Sequence, residues 1–158
     1  MSAINRYTRR QIRALGLPTV ESMLFRKQRC TLRPTPKNVA RASAFVLEKW
    51  REYWDRYLYD LPDDLTNACK FASLFALLVF GGTLCGNERH QFVQLPDNRI
   101  LDLTGAAGVP SGCETMHDAA WWGNPEHEKD MVSVAPLVAR WVTEFRGLSR
   151  RSKGRGVV

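Results

Sequence analysis

At 158 residues, 44% hydrophobic and 10% aromatic, the chain has the length and bulk for one domain with its own core. Its net charge of +7 comes from the ends: residues 1–41 carry ten Arg or Lys against one acid, Glu21, and 146–158 carry five against none, whereas 42–145 carry eight against fifteen acids. No apolar run approaches the roughly 18 residues of a membrane span, no apolar block follows the basic start as a signal peptide requires, and the four cysteines are too sparse for a secreted disulfide framework; the sequence therefore reads as a cytoplasmic protein with reduced thiols.

Residues 1–35 form a basic N-terminal arm, in which Thr8 to Leu15 reads as a short helix stopped by Gly16 and Pro18. After the breaker Arg33-Pro34-Thr35-Pro36, residues 36 to 59 carry a helical pattern of Val39, Phe45, Val46, Trp50, Trp54 and Leu58, with Thr35 as N-cap and Pro36 in the first turn. Past the loop at 60–64, Ala68 to Phe80 is apolar nearly all round, the mark of a central helix. Thr66 or Asn67 is its expected cap, and Gly81-Gly82 its stop.

The periodicity then switches to extended. Strands are predicted over 83–85, 90–95 and 99–104, the last two joined as a hairpin through Pro96-Asp97-Asn98. A Gly-rich loop covers 105–112, and 115–122 reads as a short helix. Asn124-Pro125-Glu126 reads as a helix N-terminus signal, and 133–146 as an amphipathic helix. The expected architecture is α+β: a buried helix on a small antiparallel sheet with flanking helices. The folded domain spans 36–146, and 147–158 is a disordered basic tail.

Three residue types fall into this arrangement with chemical meaning. Cys69 opens the buried helix, where the helix dipole and unpaired N–H groups favour a thiolate and an oxyanion. His90 starts one hairpin strand and Asp102 lies on the other. They read as nucleophile, base and orienter. Pairing by equal offset about Asp97-Asn98 sets residue 93 opposite 102, and from there Asp102 reaches His90 only through a shifted register or a bulge. Asn67 and Gln91 are further oxyanion or substrate contacts, and Trp121 and Trp122 candidate walls of a groove. The bland readings are a core cysteine, a hydrogen-bonded structural histidine, and an Asp102 that caps a turn before Leu103-Thr104.

The order of these residues resembles the papain/transglutaminase-like cysteine superfamily. More closely, Asn67-Ala68-Cys69 through Phe80-Gly81-Gly82, His90-Gln91-Phe92, Leu95-Pro96-Asp97 and Leu101-Asp102-Leu103-Thr104 are similar to small bacterial proteins of the YunG-like family, over about residues 65–145. The segment from His117-Asp118 to His127 shares the likeness. The resemblance implies a compact Cys–His–Asp fold, acyl-transfer chemistry on an amide or ester (hydrolysis, deamidation or transamidation), a protein or peptide substrate, and no cofactor. The 21-residue step from Cys69 to His90 is short for a full transglutaminase domain and implies a trimmed sheet.

Two rival readings remain. Cys85, His90, Cys113 and His117 form a two-Cys, two-His set that suits tetrahedral zinc by ligand type but not by spacing. Alternatively, the domain is a non-catalytic regulatory or interaction module whose basic ends bind an acidic partner or nucleic acid, although no nucleic-acid motif accompanies those charges.

Overall fold

The computed structural model describes residues 30–56, 60–86, 89–105 and 125–154, with the side chains of the last helix over 133–148. Among these residues three helices and a small three-stranded antiparallel sheet make an α+β arrangement.

Helix α1 (Pro36–Asp55) starts as its sequence requires: Thr35 is the N-cap, its hydroxyl oxygen accepts the Asn38 N–H at 3.3 Å, and Pro36 occupies the first turn. Ala42, Phe45, Val46 and Trp50 make its buried face. Helix α2 (Cys69–Phe80) begins without the cap expected from Thr66 or Asn67; Ala68 holds the cap position and no side chain bonds there. The preceding turn takes these residues for itself. Asp64 Oδ1 accepts the Thr66 N–H at 2.8 Å, the Ala68 N–H donates to Leu65 at 3.0 Å, and Asn67 adopts a left-handed φ of 62°. Such a φ is open to Asn at low cost. At the far end Gly81, with φ 74°, returns its N–H to Leu77.

Helix α3 (Pro125–Gly154) is longer than the 133–146 periodicity suggested. Pro125 stands in its first turn, Pro136 lies within it, and the helix continues through 147–154, which the sequence places in an irregular tail. Val134, Val138, Trp141, Val142 and Phe145 turn inward. No described helix is long and apolar enough to cross a membrane.

Helix α2 is the hub. Phe75 lies 5.7 Å from the Phe45 ring of α1 and 5.4 Å from the Phe145 ring of α3, and those two rings are 5.2 Å apart. Arg146 of α3 donates to the Leu78 carbonyl at 3.0 Å and to Thr31 Oγ1 at 3.1 Å, so a cation satisfies an acceptor near the C-terminus of α2.

The sheet covers another side of α2 in the order β1 (Thr83–Gly86), β2 (Gln91–Gln94), β3 (Ile100–Leu101). Leu84, Val93 and Leu101 line up across it and join the main core, while Cys85 and Phe92 form a separate small cluster. The β2–β3 register differs from equal offset by one residue: Val93 pairs with Leu101 and Gln94 with Ile100. The turn is the cause. The Leu95 carbonyl accepts the Asn98 N–H at 2.9 Å, Asn98 is left-handed with φ 66°, and the Leu95 N–H donates to Arg99 at 2.8 Å. That is a three-residue loop over 96–98, closed on the pair 95 and 99, not a two-residue turn on 97 and 98.

Strand β3 also stops short of the predicted 99–104. Asp102 draws the Thr104 N–H onto its own carboxylate at 2.9 Å and so ends the ladder in a turn.

Candidate active site

The hairpin register decides where Asp102 goes. Side chains alternate along a strand, so a one-residue slip moves every side chain to the other face. With 93 opposite 101, the even-numbered residues of both strands share a phase. His90 and Asp102 then fall on the same side, which equal-offset pairing denies them. The His90 Nε2 and Asp102 Oδ2 atoms are 2.7 Å apart, with the two side chains 12% and 13% exposed. An ionised carboxylate can only accept, so the His90 Nε2–H donates to Asp102.

Asp102 is held by more than the imidazole. Its other oxygen, Oδ1, accepts both the Thr104 N–H at 2.9 Å and the Thr104 hydroxyl at 2.7 Å. The Leu103 carbonyl between them accepts the Ser43 hydroxyl of α1 at 2.8 Å. The His90 backbone is placed by Gly86: a Cβ there would meet the His90 carbonyl oxygen and lie 3.0 Å from Gln91 Cα, and its φ of 125° is strained for any L side chain.

Cys69, the first residue of α2, is partly buried. Aromatic packing fixes that turn of the helix: Phe71 lies 4.9 Å from Trp50, 5.3 Å from Tyr53 and 5.7 Å from Trp141, centroid to centroid. The backbone N–H groups of Gln91, the residue after His90, and of Lys70 favour the Cys69 thiolate. Imidazole and carboxylate thus meet beside Gln91, the residue whose backbone N–H acts on the thiol at the start of α2.

The electrostatic balance at the thiol runs against the expectation of a stabilised thiolate. Burial pushes the Cys69 thiol up from its ordinary value; the N–H groups of Gln91 and Lys70 and the Lys70 charge oppose this, and the Asp102 charge adds to it. The uncapped helix start supplies donors, yet the loss of water outweighs them.

The other sequence candidates divide. The Gln91 side chain turns to α2, its Oε1 3.4 Å from the Ser73 hydroxyl, which also lies 3.2 Å from the Lys70 carbonyl. Gln91 therefore meets the site through its backbone N–H. Asn67 is exposed in its left-handed turn, two residues before the thiol. Cys85 is buried against Phe92, and its thiol donates weakly to Thr83 at 3.7 Å. Cys113, His117, Trp121 and Trp122 lie outside the described residues, as does the arm before residue 30. Among the described residues no group of three or more His, Cys, Asp or Glu side chains is arranged to hold a metal ion.

Three contributors escaped the sequence reading, Ser43, Ser73 and Gly86, whereas the Asp102 turn before Leu103-Thr104 is found as expected. For Thr104 a signal existed. Asp-x-Thr is a side-chain-to-backbone turn pattern, and Asp102-Leu103-Thr104 serves as turn and imidazole partner at once. Ser43 carries no such signal, since its partner is 60 residues away.

Comparison of the chain with protein-family models, with curated proteins and with solved structures returns no match.

Proposed function

We propose that the chain is a cysteine-dependent acyl-transfer protein with Cys69 as nucleophile, His90 as general base and Asp102 as the group that orients the base. The observation that carries this reading is the 2.7 Å His90–Asp102 pair, next in the chain to Gln91, whose backbone N–H favours the Cys69 thiolate. With Nε2–H given to Asp102, Nδ1 is the basic nitrogen of the neutral imidazole. Burial favours the neutral thiol at rest, so the proton leaves sulfur during attack and not beforehand.

In the first step Cys69 Sγ bonds to the carbonyl carbon of an amide or ester while its proton passes to His90 Nδ1. N–H groups at the start of α2 and at Gln91 are the nearest donors for the oxyanion. The bond to the leaving group then breaks, the leaving amine or alkoxide takes the proton from His90, and a thioester remains. Water or an amine attacks the thioester, gives its proton to His90, and returns the thiol. A papain/transglutaminase-like core and a YunG-like relationship are part of the same proposal; the α+β architecture and the order Cys, His, Asp support them.

The test is acylation by p-nitrophenyl acetate, read as p-nitrophenolate release and as an acetyl group located by peptide mass. Exposed Cys30 serves as an internal reference thiol. Cys69 is expected to acylate faster than Cys30, and His90→Ala to slow it by about 10²-fold or more. Labelling of Cys30 at an equal or greater rate, with His90→Ala unchanged, sinks the catalytic reading. One observation favours a second reading, a non-catalytic interaction protein on the same fold: the buried thiol is pushed away from the reactive anion. The basic N-terminal arm and the basic end of α3 would then do the binding, to an acidic partner or nucleic acid.

A further inference from the structure

We infer that Thr104 is the positioning residue that fixes the plane in which Asp102 presents its carboxylate to His90, and that α1, not the sheet, anchors it; this rests on the acyl-transfer reading of the site. The terminal torsion of an aspartate is broad and roughly two-fold, so its carboxylate does not by itself select an orientation. Here two donors from one residue converge on Oδ1, the Thr104 N–H at 2.9 Å and the Thr104 hydroxyl at 2.7 Å, and Oδ2 faces His90 Nε2 at 2.7 Å. Any residue at 104 except proline supplies the N–H. Only a hydroxyl supplies the second bond, the shorter of the two.

The turn itself is tied from outside the hairpin. Leu103 is 3% exposed, and its carbonyl accepts the Ser43 hydroxyl of α1 at 2.8 Å. β3 is only two residues long, too little ladder to hold Asp102 at a set height. The acid is therefore fixed by Thr104 from within the turn and by Ser43 from the helix, and its orientation holds the imidazole with Nε2 protonated and Nδ1 basic.

Histidine ring nitrogen spectra of the full chain test this, with the His90 signals among those of the three histidines assigned by their loss in His90→Gln. The wild-type neutral imidazole is expected as the Nε2–H tautomer alone. Thr104→Val keeps the shape and the N–H but removes the hydroxyl; it is expected to give a mixture of tautomers and to lower Cys69 acylation about tenfold. Thr104→Ser is expected to restore both. A Thr104→Val protein with the wild-type tautomer overturns the inference, including the case in which only its thermal midpoint falls, since that is what a merely structural threonine does. Ser43→Ala, which leaves the carboxylate contacts untouched, is expected to loosen the tautomer in the same direction and decides the matter should Thr104→Val fold poorly. If wild-type Cys69 never acylates, the acyl-transfer reading fails, while the tautomer measurement still decides the role of Thr104.

Discussion

At Cys69 and Cys85 burial and hydrogen bonding pull in opposite directions. Burial pushes both thiols up, against N–H donors from Gln91 and Lys70 at Cys69 and from Gln94 at Cys85. The consequence for stability has a definite sign. An unfolded cysteine loses its proton near about 8.5, while the folded chain retains it to higher pH, so the folded state binds more protons in that window. The contribution of both thiols is complete below the unfolded value and is lost as pH rises through the raised folded value. Urea midpoints measured from pH 7.5 to 10 should fall, and fall less steeply in Cys69→Ala and in Cys85→Ala. A slope unchanged in both variants would show that neither thiol is held neutral by the fold. Asp102 is instead held by hydrogen bonds, from the His90 Nε2–H and from the N–H and hydroxyl of Thr104.

At the scale of elements, the hairpin and the strand before it place the imidazole. Gly86 pairs with Gln91 at the end of β1, and its lack of a Cβ lets the His90 backbone approach. Gly86→Ala adds both a steric overlap with backbone and a side chain at φ 125°. The variant should lose at least about 2 kcal/mol of stability, and the His90 ring resonances should move even in the folded fraction. Wild-type stability with unmoved resonances would mean that the two backbones are not in contact. The other end of the hairpin works through length: a loop of three residues, made possible by the left-handed Asn98, sets the phase that brings Asp102 to the His90 side. Helix α2 contributes its first turn, and the aromatic group of Trp50, Tyr53, Phe71 and Trp141 keeps that turn in place.

For the whole molecule, stability concentrates where three helices meet. Phe75 has no exposed surface and touches Phe45 and Phe145 from the two flanking helices. Phe75→Ala should cost about 3–5 kcal/mol, a large part of the roughly 5–15 kcal/mol that holds a domain together. Chemical unfolding reads this directly, and a loss under about 1 kcal/mol would contradict so tight a core. The Lys49–Glu144 ion pair between α1 and α3 matters far less, since half-exposed pairs contribute about 0–1 kcal/mol. The candidate site thus lies beside the core and not within it: the turn that carries its carboxylate is tied to α1 through Ser43, its imidazole lies just before β2, and its thiol opens α2.

By itself the sequence determined most of the elements and singled out the candidate residues. Period and punctuation marked α1, α2 and the three strands, because proline, glycine and apolar spacing act locally. Cys69 at a helix start was legible for the same reason; His90 and Asp102, expected within strands, lie just outside them, since β2 starts at Gln91 and β3 ends at Leu101. The reach of α3 beyond 133–146 was only half legible: Asn124-Pro125-Glu126 marked its start, but a short polar-rich stretch and Pro136 interrupt the apolar stripe. Only the tertiary structure decided whether His90 and Asp102 meet, because a strand has period two and the choice between a two- and a three-residue loop reverses the face of every side chain. It also decided that Ser43 and Thr104 hold the acid, and that burial outweighs the helix start at Cys69. The Ser43 tie and the burial of the thiol depend on groups distant in sequence, which no local pattern encodes; the Asp-x-Thr turn is the local exception.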